Sequence, residues 1–250
     1  MKSTILIHFL CLHAAILLAQ KDSLPTGRVV YLQQADTQGD AQNNGYASLL
    51  FNNQGSVYVQ HGAPVSDTSF SNPEYAFPVT IIGDKEGFPI YKFHAERRIV
   101  CKIDCRQSRS HCILSDTFGT IDWVLQPERK RFGIYECRRA TGVFRGREYE
   151  AWYAVDIPIP SGPFKLGGLP GLILEATSFD GKVKFLFSTL EIGQNTPGII
   201  RLPTGKQMNM SYAEFIIGER VFYGNLVKEW AAKGVEVLTA RMEFIELNEN

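Results

Sequence analysis

Three histidines carry whatever imidazole chemistry the mature sequence has: His61, His94 and His111, because His8 and His13 fall in an apolar leader. A hydrolase with a histidine base must use one of them. His61 sits in the turn-like run His61-Gly62-Ala63-Pro64, and His94 alternates within a strand pattern, so both read as structural or surface residues. Glu148 and Glu150 are two apart and share one face of a strand, a spacing that suits an acid–base pair and equally a solvated face. The sequence holds no Gly-x-Ser-x-Gly elbow, no phosphate-cradling glycine loop and no His-Glu-x-x-His. No catalytic residue is assigned, and the expectation is a protein that is not an enzyme.

Cysteine chemistry depends on where the chain goes. Lys2 followed by the apolar stretch Ile5 to Leu18, with Ala19 ahead of Gln20, matches a cleaved secretory leader over residues 1–19. Export to the periplasm, to an outer-membrane-associated site or to the exterior is therefore expected. Cys11 lacks the small residue before it that a lipoprotein would show. The four remaining cysteines, Cys101, Cys105, Cys112 and Cys137, meet an oxidising compartment, where an even number favours disulfides. The preferred pairing is Cys105 with Cys112, closing a polar loop, and Cys101 with Cys137. The rival is a metal site from His94, Cys101, Cys105, His111 and Cys112, whose spacings are looser than zinc pairs usually show. No metal and no cofactor are expected.

The most informative stretch runs from Ala151 to Ile173. Trp152, Tyr153 and Asp156 lead into a loop punctuated by Pro158, Pro160 and Pro163. Leu169-Pro170-Gly171-Leu172 has the Pro-Gly order of a type II turn, with Gly171 expected at positive φ. Gly167 and Gly168 permit close backbone approach. Phe164, Leu166, Leu169, Leu172 and Ile173 are too apolar for an uncovered loop. They plug the end of a β core or form an apolar lip for a ligand or partner. Trp152, Tyr153, Asp156, Pro163, Phe164, Gly168, Leu169, Pro170, Gly171, Leu172 and Ile173 are the candidate binding residues. Asp156 is expected to hold amides of the following loop.

The elements that position them are mostly strands. Short β-rich runs lie at Arg28–Leu32, Tyr46–Phe51, Val57–Val59, Val79–Ile82, Phe88–Ile103 and Ile121–Leu125. Arg131–Phe144 and Glu148–Ile159 read as long partners across Arg145-Gly146. Leu172–Phe179 and Lys182–Ile192 form a hairpin at Asp180-Gly181. Ser211-x-x-Glu214 is a capping box that opens a helix over Tyr212 to Lys233, and Val235 to Leu247 alternates as a closing strand.

At 250 residues, 28.1 kDa and 44% hydrophobic, the chain can bury a large core and is neither disordered nor fibrous. Net charge is zero, yet residues 97–147 carry twelve Lys and Arg against five Asp and Glu. That is a solvated face or a basic rim for an acidic partner. Aromatics are not interleaved there, so nucleic acid is not expected. No later segment is apolar for long enough to span a bilayer.

Gly168-Leu169-Pro170-Gly171-Leu172-Ile173 resembles the signature of the GLPGLI family of exported Bacteroidetes proteins. Glu136 to Thr141, Phe144 to Arg147, Ala151-Trp152-Tyr153 and Asp156 to Pro163 are similar to that family's core block, so the resemblance covers Tyr135 to Ile192. It implies a Gram-negative cell envelope and no settled activity. The family is in turn similar to the bowl-like N-terminal domain of some peptide N-glycanases, and the element pattern resembles the half-barrel of periplasmic lipoprotein carriers. The expected fold is mainly β: one domain over residues 20–250, a curved antiparallel sheet or open bowl with one main C-terminal helix packed on it. The expected function is a non-catalytic, chaperone-like binding protein for a hydrophobic ligand, a peptide or an outer-membrane partner. The alternatives are an interaction module of an outer-membrane transporter or secretion complex, and a hydrolase of unrecognised type.

Overall fold

A computed structural model describes residues 26–36, 42–61, 88–105, 110–193 and 206–233. The expected leader, the run at Val79–Ile82 and the closing strand at Val235–Leu247 lie outside the described residues. Among the described residues twelve strands form one sheet: β1 (Gly27–Asp36), β2 (Gln42–Phe51), β3 (Gly55–His61), β4 (Phe88–Phe93), β5 (Arg98–Cys105) and β6 (Ser110–Thr117) come first. β7 (Val124–Phe132), β8 (Tyr135–Phe144), β9 (Arg147–Ala154), β10 (Leu172–Ser178), β11 (Val183–Ile192) and β12 (Lys206–Ser211) follow. The order across the sheet is β12-β6-β5-β4-β3-β2-β1-β11-β10-β9-β8-β7. Every pairing is antiparallel except β12 on β6. The sheet is open and does not close into a barrel.

Alternation along the strands decides which face is buried. Val29, Tyr31 and Gln33 turn inward from β1, Ala47, Leu49 and Phe51 from β2, and Tyr149, Ala151 and Tyr153 from β9. Each large apolar side chain removed from water there contributes about 1.5–3 kcal/mol. Polar atoms on this face are paired: the Tyr58 hydroxyl donates to Gln33 Oε1. Tyr31 donates to the Ile173 carbonyl at 2.7 Å.

Glycines and left-handed residues cut the sequence runs more finely than hydrophobicity does. Phe88–Ile103 is two strands, broken by a turn at residues 94–97 where Arg97 adopts φ 49°. Arg131–Phe144 is also split, because Gly133 at φ 59° turns β7 into β8. The run from Glu148 ends at Ala154, before the prolines that cannot donate to a ladder. Two hairpins stand where the sequence places them. Arg145 and Gly146 both take positive φ between β8 and β9, and Gly181 alone does so between β10 and β11.

Residues Tyr212–Ala232 follow β12 as a helix, α1. Its start is closed reciprocally: Ser211 N–H donates to Glu214 Oε2 at 2.6 Å, and Glu214 N–H donates to Ser211 Oγ at 3.2 Å. Its described side chains are exposed or half-buried. Among the described residues no helix is long and apolar enough to cross a membrane.

Candidate functional site

The loop from Val155 to Gly171 leaves β9 and lies against the inner face of the sheet. Its prolines preset an extended, tightly turning path, and Ile159 N–H donates to Ile157 O and Ser161 N–H to Ile159 O, each at 2.7 Å. The chain then doubles back: Gly168 N–H reaches Pro160 O at 3.1 Å, and Ile173 N–H reaches Ser161 O at 2.9 Å. Ile157, Ile159, Leu166 and Leu169 are buried in the same core as Tyr31 and Phe185. The loop is therefore a plug made of core residues.

The glycines exchange the roles that their order implies. Gly168 takes positive φ, at 88°, whereas Gly171 does not. Gly171 is required for space, since a Cβ there would strike the Ala154 carbonyl oxygen. Gly167 likewise lies against the Phe118 ring, and Gly162 against Ile173. The type II turn expected at Leu169 to Leu172 is thus replaced by close packing of Gly171 on β9. Phe164, a non-glycine residue at φ 49°, is held in the left-handed region by the fold around it.

Polar anchors from four places fix the plug. Lys92 of β4, with no exposed surface, donates from Nζ to the Gly162 carbonyl, to Leu166 O at 3.0 Å and to Ser161 Oγ at 3.4 Å. Ser161 Oγ is 2.6 Å from Ser56 Oγ of β3. Trp123 Nε1 donates to Gly167 O at 2.9 Å, and Tyr31 secures Ile173. Burial pushes Lys92 well below the ordinary lysine range. A lysine beside two serine hydroxyls has the composition of a nucleophile and its base. Here all three are buried, and the ammonium spends its protons on loop acceptors, which makes it a clamp.

Next to the clamp, His94 stacks on Phe118 with ring centroids 5.6 Å apart, and its Nε2 has no hydrogen-bond partner among the described residues. Burial and then the Lys92 charge lower it to about 4.

At one rim an ionic latch joins the two ends of the sheet. Asp116 of β6 accepts from Arg145 of the β8–β9 turn at 2.6 Å and pairs with Lys165 of the loop at 2.9 Å. Lys165 Nζ lies 3.0 Å from the centre of the Tyr212 ring at the start of α1. Burial pushes Asp116 up, yet Lys165 and Arg145 outweigh it and hold the carboxyl below its ordinary value.

The candidate residues named from sequence separate into two environments. Pro163, Leu169, Gly171, Leu172, Ile173 and Tyr153 are buried, Phe164 is half-buried, and Gly168 and Pro170 are exposed. Trp152 faces the other side of the sheet, where Nε1 donates to Glu150 at 3.0 Å and Lys130 lies 5.6 Å over its ring. Glu150 also accepts from Arg139 at 2.6 Å, so it belongs to an ion-pair ladder and does not pair with Glu148. Asp156 is exposed and does not hold the loop amides; Ile157 N–H goes to Ala154 O.

The cysteine expectation is corrected in one half. Cys101 and Cys137 are both thiols, on strands with seven others between them in the sheet order. Burial and then Glu175 push Cys137 up to about 12. The Cys105 side chain, and with it the pairing to Cys112, lies outside the described residues, as does the His111 side chain.

The residues missed from sequence are Lys92, Ser56, Ser161 and Tyr31. Lys92 had one signal: it is two residues from Ile90, hence on the same, inward face of its strand.

Comparison with known proteins adds the following. A family model described as a protein of unknown function (Porph_ging) matches residues 143–175. No curated protein matches the sequence. A solved structure of PNGF-II in space group C2 is similar over 74% of this chain, with 13% identity and a TM-score of 0.50. PNGF-II in space group P21 matches with 14% identity, the same coverage of this chain and the same TM-score. The chain spans about a third of the length of those proteins, 31% and 32%. The likeness is one of fold: the chain shares the architecture of part of PNGF-II and, from the β8–β9 turn through the plug, the pattern of a family of unknown function.

Proposed function

We propose that this is a non-catalytic, chaperone-like binding protein exported to the cell envelope, and that it holds a peptide or protein partner at the β7–β8 end of its sheet. One observation carries the reading. The apolar residues that would make a ligand lip are turned inward as a plug, while β7, β8 and their turn leave apolar side chains exposed at the end of the sheet. Val124 and Val143, each 60% exposed, are neighbours on one face, with Leu125 (55%) on the other face beside them and Ile134 (85%) in the turn at the far end of the pair. Clustered exposed apolar side chains mark interaction surfaces more often than they are needed for folding. A fold that occupies a third of a longer chain in PNGF-II also fits a docking module. The basic segment supports the related reading, a module that docks on an outer-membrane transporter or secretion complex.

Native mass spectrometry of the mature chain, taken from a periplasmic fraction without detergent, tests this. The expected result is a chain free of small apolar adducts, with a protein partner retained after mild crosslinking through residue 124 or 143. A discrete lipid-sized adduct that is lost on unfolding would overturn it in favour of a carrier.

A further inference from the structure

We propose that the free edge of β7 takes an extended acidic segment of a protein partner, which joins the sheet as a further strand with its carboxylates against Arg131 and Arg138. This rests on the binding reading above and names its surface and the chemistry of its occupant. β7 ends the strand order, so one row of its backbone N–H and C=O groups, interrupted at Pro127, meets no other strand among the described residues. Extended segments add to such edges, gaining affinity from the main chain and specificity from side chains.

The charge pattern says what kind of segment. Arg98, Arg129, Lys130, Arg139, Arg145 and Arg147 each hold a carboxylate. Arg131 and Arg138 hold none among the described residues. The register sets exposed Arg138 directly opposite Arg129, and alternation puts Arg131 on the same face. Like charges in directly opposed positions destabilise a sheet. The nearby carboxylate, Glu136, is already taken by Arg129 at 2.6 Å. Charges on β7 itself would be explained by protection of an edge, but Arg138 stands on the inner neighbour, β8. Leu125, opposite Ala140, shares that face, so the footprint runs from one apolar side chain to the two guanidinium groups that hold no carboxylate, on the face that Tyr153 also occupies. A second copy of the chain would bring the same arginines against them. A carboxylate satisfies a guanidinium with two parallel hydrogen bonds.

The probe is a capped eight-residue peptide of alternating Glu and Thr with Leu at one end, titrated against the whole mature chain. Saturable binding is expected, weakened roughly tenfold or more between low and high salt, as screening of exposed charges requires. The double variant Arg131→Glu, Arg138→Glu should lose binding about tenfold or more, through repulsion in place of two charge-assisted contacts. Arg98→Glu, on β5, should bind as the parent does. N-methylation of alternate peptide residues should abolish binding; undiminished binding would overturn strand addition. Binding to phosphatidylglycerol vesicles with none to the peptide would overturn the proposal in favour of a lipid surface. No peptide binding by a chain that still crosslinks a protein partner would overturn this surface alone and leave the binding reading intact.

Discussion

Replacing Lys92 with Met is expected to destabilise the protein by about 3 kcal/mol. Two backbone carbonyls, Gly162 O and Leu166 O, would then be left in the core without that donor. A buried acceptor so orphaned costs about 1–3 kcal/mol. Methionine keeps most of the side-chain volume and removes the desolvated ammonium, so the loss isolates the clamp from a cavity effect. In a chain of this size the melting temperature should fall by roughly 6–12 °C. Ser161→Ala, which removes one neutral hydroxyl, should cost only about 1 kcal/mol. Denaturant titration of both variants checks the ratio. A Met variant as stable as the parent would mean that water reaches those carbonyls and that the plug is not sealed.

The second large effect is acid lability from His94. Its folded pKa of about 4 lies below the ordinary 6.5, so the unfolded chain binds the proton more tightly. Stability from the neutral ring is full above pH 6.5 and is lost as pH falls toward 4, by about 3 kcal/mol in all. Asp116 also has a lowered value, but its contribution is lost only below the ordinary carboxylate pKa of 3.8, so the two windows separate. His94→Phe keeps a ring on Phe118 and surrenders no hydrogen bond from Nε2. Its urea midpoint should be nearly flat between pH 6.5 and 4.5, where the parent declines. An equal decline in both proteins would assign the acid sensitivity to another group.

The strands were legible in the sequence because alternation and turn glycines are local signals. The hairpins at Arg145-Gly146 and Asp180-Gly181 needed nothing beyond their own residues. The run Phe88–Ile103 reads as continuous because Arg97, the residue that breaks it, adopts positive φ without being glycine. The plug was visible as an apolar loop, but its direction was not. Whether Leu169 and Leu172 face a ligand or the core depends on Lys92, Ser56 and Tyr31, which are between 77 and 141 residues away from them in sequence. Gly171 shows the same limit. Its type was readable, but the reason for it, an Ala154 carbonyl oxygen where a Cβ would have to sit, is a tertiary contact. Cysteine pairing failed at Cys101 and Cys137 for a related reason: parity of count says nothing about the distance between strands.

The central claim is that the loop from Val155 to Gly171 is permanent core, so that the proposed binding takes place at the edge of the sheet and not behind the plug. Native-state hydrogen exchange reads this directly at the amides of Leu166, Gly168, Leu172 and Ile173, each of which donates to a loop carbonyl. The account predicts that they exchange only with global unfolding, as slowly as the amides of β9 and β10. Exchange at these four sites much faster than in those strands, while the sheet stays protected, would contradict it. The plug would then swing out, and the inner face of the sheet would be a ligand cavity.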